Sequence, residues 1–379
     1  MSQQKESRSF DIAVIGAGIV GAACALEFAR AGLRVILIER SAVASGATGA
    51  AMGHIVLMDE SPAQFALTRY SQYLWRELAP ELPHAVEYHC PGTIWIASDD
   101  VEMAEVRRKH EAFTSNGVSC ELLDSQGLAE AEPNLRLSLA GGLLVVKDAV
   151  LHPQSAAEYL AAEAERLGAV LQSGHAVVSA SPGRVTLDTG EILQAAHIIN
   201  AAGALAPSIT PGIPVRKRKG HLILAEPYPG FARHQLVELG YLKSAHGSEA
   251  DSVAFNVQPR LSGHLLIGSS RQYGNDDPGL DQHILDSMKE RAGFFMPGLT
   301  GLKTIGAWTG FRAATPDKLP LIGPTEDPTV LLATGHEGLG ITTSLGTARL
   351  LADHLLGRPS AIPVEPYLPT RFPTFQEAR

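Results

Sequence analysis

The run Gly16-Ala17-Gly18-Ile19-Val20-Gly21, with Glu39 further along, has the residue types and spacing to hold a dinucleotide. In such a run the first glycine permits a tight strand-to-helix turn. The second lets the backbone approach a pyrophosphate, and the third lets the helix pack close to its strand. The N–H groups at the helix start, with the positive end of the helix dipole, hold the phosphates. Glu39 accepts from ribose hydroxyls, and its charge disfavours a 2′-phosphate. The run 45–54, Ser-Gly-Ala-Thr-Gly-Ala-Ala-Met-Gly-His, consists almost wholly of small residues. A small-residue loop here lets the backbone lie against a flat tricyclic ring, which points to FAD rather than a nicotinamide.

Elements of the right kind flank these residues. Strand formers at 12–15 precede the glycines, an Ala-rich helix over 22–31 follows and stops at Gly32, and an apolar strand over 34–39 ends in the acid. Helices are expected over 69–78, 102–115, 154–167 and 281–295, with a loop over 130–135 around Pro133. Short strands are expected over 169–171, 176–179, 185–187 and 191–193, the last two joined by an Asp188-Thr189-Gly190 hairpin turn. A buried strand over 197–203 returns to the first unit. Strands over 215–225, 254–257 and 264–269, joined by Pro- and Gly-rich turns, predict an antiparallel sheet. A strand over 331–334 leads through Gly335-His336-Glu337-Gly338-Leu339-Gly340 into a helix over 342–356, and a proline-rich tail follows Pro359.

At 379 residues the expected domain count is two or more. A hydrophobic fraction of 45% against 19% charged excludes extensive disorder. The net charge of −9 argues against a nucleic-acid partner. The cysteines Cys24, Cys90 and Cys120 are scattered and odd in number, so no metal cluster or disulfide framework is expected, and a reducing, cytoplasmic setting is. The polar first nine residues do not read as a signal peptide, and no apolar run reaches the roughly 20 residues of a membrane span.

Four further blocks carry a resemblance: Asn200-Ala201-Ala202-Gly203; Trp308-Thr309-Gly310-Phe311-Arg312-Ala313-Ala314-Thr315-Pro316-Asp317; Leu319-Pro320-Leu321-Ile322-Gly323; and Thr334 to Thr342. With the glycine run and the 45–54 loop, they make the chain resemble the FAD-dependent D-amino-acid oxidase superfamily, in its glycine and sarcosine oxidase branch. Phe255-Asn256-Val257-Gln258-Pro259-Arg260 and Leu266 to Gln272 look most like flavin subunits of multi-component dehydrogenases of the D-hydroxyproline dehydrogenase, hydrogen cyanide synthase and opine oxidase type.

The resemblance implies an α/β (α+β) fold: a Rossmann-like FAD-binding domain of glutathione-reductase type (9–84, 141–210, 311–379) with an inserted antiparallel-sheet substrate or interface domain (85–140, 211–310). It implies FAD contacts from Gly16, Ala17, Gly18, Ile19, Val20, Gly21, Glu39, Arg40, Ala47, Thr48, Met52, Gly53, His54 and Val177. Further contacts come from Ala201, Ala202, Gly203, Gly338, Leu339, Gly340, Ile341, Thr342 and Thr343. No cysteine follows Thr309-Gly310, where sarcosine oxidase-like enzymes bond their flavin, so the FAD is expected to be noncovalent.

Arg312 matches the family's carboxylate-binding arginine, and a guanidinium fork suits a carboxylate. Helix-start N–H groups at 338–343 suit the anionic edge of a reduced flavin. His54, His336 and Asn256, which stands where related enzymes carry a tyrosine, are the other candidates at the reacting centre. Glu337 stands where some relatives have arginine, and Ala313 where they have proline, which favours a larger substrate than glycine. The expected activity is oxidation of an amino or imino acid C–N bond to an imine by hydride transfer to flavin N5, in the flavin subunit of a D-hydroxyproline dehydrogenase-like complex. A self-sufficient glycine or sarcosine oxidase and an assembly subunit without chemistry are the alternatives. The basic run Arg216-Lys217-Arg218-Lys219 reads as a solvated strand edge, or as a contact for an acidic partner subunit or a second phosphate-bearing cofactor.

Overall fold

The computed structural model describes residues 9–240 and 251–372. Residues 1–8 of the polar N-terminus, 241–250 of the inserted segment and 373–379 of the tail therefore lie outside the described residues. The described residues form two eight-stranded sheets and a two-stranded ribbon.

The first sheet has five parallel strands at its centre: Val330–Thr334, Ile192–Asn200, Ser9–Ile15, Val35–Glu39 and Val170–Ser173, in that order. Leu321–Pro324 adds an antiparallel edge, and Arg184–Leu187 with Val177–Ser181 forms the hairpin extension. Val35–Glu39 is buried along its whole length, as a parallel strand covered on both faces must be. The strands expected over 191–193 and 197–203 are one continuous strand, Ile192–Asn200, and the 201–203 stretch leaves the sheet as a loop.

Helices Ile19–Arg30, Pro153–Arg166 and Gly340–Leu355 pack together over this sheet. Their meeting faces are small: Ala22, Ala25, Ala29, Ala157, Ala161 and Ala348 are all buried in one core. Helix Pro62–Leu78 begins earlier than the 69–78 expected, because Ser61 caps Gln64 N–H and Pro62 fits the first turn. Its Trp75 indole donates to the Ile341 and Thr342 carbonyls, pinning the Gly340–Leu355 helix.

The second sheet runs in the order Thr304–Ala314, Arg216–Ala225, Leu265–Tyr273, Ser252–Pro259, Gln235–Glu238, Thr93–Ala97, Gly141–Val145 and Cys120–Asp124. It is antiparallel except for Gln235–Glu238 against Thr93–Ala97, which are parallel. Gly141–Val145 sits in this sheet although it falls in a stretch expected with the first. Helix Gln282–Phe295 covers one face, with Phe295 stacked on Phe255 at 4.6 Å. The loop expected over 130–135 starts only after helix Ser125–Ala131.

Arg216–Ala225 is an interior strand, paired on both sides, which overturns the reading of Arg216 to Lys219 as a solvated edge. Lys217 is half-buried beside Asp276, Arg218 is buried, and buried Lys219 donates to the Gly279 carbonyl.

Candidate functional site

The glycine run is a tight backbone cradle. Gly16 has φ +99°, and a Cβ there would lie 2.8 Å from the Ala201 carbonyl oxygen. A Cβ on Gly21 would lie 1.8 Å from the Gly16 carbonyl oxygen, so both positions demand glycine. Gly18 caps the Ile19–Arg30 helix without a side-chain hydrogen bond, and Thr48 Oγ1 accepts from Ile19 N–H at 3.0 Å. Glu39 is buried at the end of its strand and accepts from Ala17 N–H (2.8 Å) and Ser41 N–H (3.0 Å). Arg40 and Ala47 are exposed beside it, Val20 and Ala202 are partly exposed, and Val177 packs into the small core under Ile38.

The 45–54 loop crosses to the second sheet. A Cβ on Gly310 would lie 2.5 Å from Ala50 Cβ, and Trp308 Nε1 donates to the Ala50 carbonyl at 3.3 Å. Gln258 Nε2 donates to the Met52 carbonyl, and Gly53, at φ +105°, passes against Leu151. His54 begins a two-residue strand, and its carbonyl accepts from Thr342 Oγ1 at 2.9 Å. Thr342 Oγ1 in turn accepts from Val56 N–H. The 45–54 loop and the Gly340–Leu355 helix are thereby fastened together.

That helix also starts without a side-chain cap, at Leu339. Two uncapped helix N-termini thus sit in the first layer, one behind Gly16 to Gly21 and one behind Gly338 to Thr343, and each offers orphan N–H groups. Glycines with no room for a Cβ, an acid at the second strand end and two such N-termini fit the pyrophosphate, ribose and ring of a dinucleotide.

Beyond the loop lies a cleft between the two sheets, lined by His54, Trp95, Arg218, Gln235, Asn256 and Arg271. Lys318 and Glu60, paired at 3.1 Å, with Gln64 and Glu337 complete its polar wall, and Gly338 and Leu339 border it. Glu337 holds a left-handed φ of +51° and lies 2.9 Å from Arg218 Nη1. Burial alone would raise its pKa, but Arg218, Arg312 and Arg271, with Gly338 N–H, hold it below the usual carboxylate range.

Arg312 stands opposite Arg218 in the strand register, beside the cleft rather than in its wall. Its fork lies over Gly220, Nη1 donates to the Ser270 carbonyl at 2.9 Å, and its Nε is close to Gly338. Burial pushes the His54 imidazole down to about 3, so it is neutral at pH 7, and its Nε2 has no hydrogen-bond partner. His336, also pushed by burial to about 3, packs behind the loop with Nε2 bonded to Thr347 and does not line the cleft.

A family described as FAD dependent oxidoreductase (DAO) matches residues 11–354, nearly the whole chain. The chain belongs to that family. It is 28% identical over 382 residues to a glycine oxidase of Pseudomonas aeruginosa, covering 94% of this chain and 98% of the relative. It is 26% identical over 424 residues to hydrogen cyanide synthase subunit HcnC of the same species, covering 97% of each. Among solved structures, a glycine oxidase from Geobacillus kaustophilus has the same fold, with a TM-score of 0.88 at 24% identity over 97% of this chain and 100% of the other. FAD is therefore the cofactor of this DAO-family chain, and amino-acid oxidoreduction its chemistry.

The sequence points to Arg312, His54 and Asn256 in this neighbourhood; it does not single out Arg218, Gln235 or Arg271 as site residues, and it marks Glu337 only as a departure from related enzymes. Arg218 was hidden in a run of four cations, and Gln235 in a segment without polar periodicity. The available signal was strand alternation. Gln235 and Val237 share a face with Asn256 and Trp95, because Val237 stands opposite both.

Proposed function

We propose that this DAO-family chain oxidises the C–N bond of a D-hydroxyproline-like imino acid or a related amino acid, as the flavin subunit of a multi-component dehydrogenase. The observation that carries the substrate class is the cleft beside Gly338. There guanidinium groups, neutral acceptors and an ionised Glu337 converge where the two sheets meet. When bound, FAD supplies the hydride acceptor. We assign its pyrophosphate and ribose to Gly16 to Gly21, Glu39 and the 201–203 loop, and its ring to the 45–54 loop and Gly338 to Thr343. Segments of the first sheet then serve as the cofactor unit and those of the second as the substrate unit.

Arg312, with Arg218 beside it, orients the substrate carboxylate, and neutral His54 accepts from the amine. Loss of hydride from the neutral amine leaves an iminium, which releases its N–H proton to water to give the imine that water hydrolyses. The three thiols are all free, which suits a cytoplasmic setting.

The partner-subunit reading is supported by the likeness to a protein named as a synthase subunit. A self-sufficient oxidase is the second reading, favoured by full-length likeness to glycine oxidases. The test is anaerobic bleaching of the bound flavin across a panel of amino and imino acids, followed by turnover with oxygen and with an artificial acceptor dye. Bleaching with slow oxygen turnover and fast dye turnover supports the dehydrogenase. Fast peroxide release by the chain alone replaces it with the oxidase, and no bleaching by any amine rejects both.

A further inference from the structure

Gln235 is an amide in an unlikely place. It is 1% exposed, on a short strand whose four residues are all buried, and its Oε1 has no hydrogen-bond partner. Asn256, 6% exposed on the neighbouring strand, has an Oδ1 in the same condition. The two lie on one face of the second sheet, with Val237 and Trp95 between and beside them, and all four line the cleft. A buried polar group left without a partner destabilises the fold, so such groups persist where something else satisfies them. Both side chains line the cleft, so a ligand seated there is the group placed to pair with them.

We propose that Gln235 and Asn256 form a subsite that reads a hydroxyl group on the substrate's side chain, which makes the enzyme selective for hydroxylated amino or imino acids. This rests on the amine-oxidation reading above and narrows it. A hydroxyl both donates and accepts, so it satisfies an amide in either orientation. A second amine is the other common donor, but the carboxylates of the cleft, Glu337 and Glu60, are already paired with Arg218 and Lys318, and Arg271 adds a further cation, so a cationic side chain is disfavoured. A purely aliphatic substrate would offer the two amides no hydrogen-bond partner. Sites built to hydrogen-bond a substrate hydroxyl discriminate far more strongly against the analogue lacking it than apolar pockets discriminate by size.

The test uses the flavin-loaded full-length protein and matched pairs: D-4-hydroxyproline against D-proline, and D-serine against D-alanine. Anaerobic flavin reduction should favour the hydroxylated member of at least one pair by about 100-fold or more in kcat/KM. In Gln235→Leu that preference should fall by about 10- to 100-fold. The same change removes an unsatisfied polar atom from the ligand-free protein, so its Tm without substrate should rise, not fall. A wild-type protein that reduces deoxy substrates as well as hydroxylated ones overturns the subsite, and this comparison needs no variant. So does an unchanged preference in Gln235→Leu, or a stronger preference for D-ornithine than for any hydroxylated substrate. Failure of every amine to bleach a fully loaded flavin is a distinct result: it rejects the amine-oxidation reading and this subsite with it.

Discussion

Arg312 spends one arm of its fork on the Ser270 carbonyl, which fixes the direction of the rest. Lysine would keep the charge and lose that fixed geometry. Arg312→Lys should therefore lower kcat/KM by about 100-fold, since hydrogen bonds to charged groups are worth about 1.5–3 kcal/mol each, with flavin content unchanged. Steady-state kinetics beside the 450 nm absorbance ratio decides this. His336 gives a prediction of another kind. Burial lowers it from 6.5 to about 3 in the folded chain, so the unfolded chain takes up a proton near pH 6.5 that the folded chain refuses. Stability from this group must fall as pH drops through that window, by about 1.4 kcal/mol per pH unit. His336→Gln should flatten the slope of unfolding free energy between pH 6 and 4, measured by denaturant titration. Residues defined by backbone demands were the most legible in the sequence: Gly16 and Gly21 announce themselves because no other residue fits. Gln235 and Arg218 did not, because their meaning depends on which strands lie beside them.

At the level of elements, the site depends on two helix starts and the loop between them. Gly21→Ala would drive a methyl group into the Gly16 carbonyl, so the Ile19–Arg30 helix must move away from its strand. We expect a stability loss of about 1–3 kcal/mol, the usual cost of overpacking, together with loss of bound FAD; thermal melts and flavin release would show both. Thr342→Val removes the hydroxyl that joins His54 carbonyl to Val56 N–H and leaves that buried N–H without a partner. A loss of about 1–3 kcal/mol follows, and retention of wild-type Tm would refute the fastening role. The parallel strands and the long amphipathic helices were readable because their periods are strong. Thr93–Ala97 and Gly141–Val145 were not, because short runs buried along all or nearly all their length carry no alternation to separate strand from helix. The start of Pro62–Leu78 was legible in principle from Ser61-Pro62, a capping signal overshadowed by the polar residues after it.

For the whole molecule, the alternation of two sheets along the chain was visible in the sequence as two kinds of strand pattern. The strand order was not, since it is set by which apolar faces find each other across long loops. On the FAD placement proposed above, residues near position 20 and residues near position 340 share one cofactor surface, so occupancy should stabilise the entire chain. FAD at one hundred times its Kd should add about 2.7 kcal/mol, read as a concentration-dependent Tm. A chain truncated before Gly335 should release flavin despite an intact Gly16 to Gly21 run; retention of a full complement would refute the shared site. The central strand Ser9–Ile15 is flanked by Val35–Glu39, its near neighbour, and by Ile192–Asn200, which in turn needs Val330–Thr334. On the ribosome, at about 5–20 residues per second, the glycine cradle therefore waits roughly 15–65 s for the helix that completes it. On that placement flavin loading comes late in biosynthesis: a nascent chain stalled before the Gly340–Leu355 helix should stay colourless, and yellow colour should report that this helix has been made.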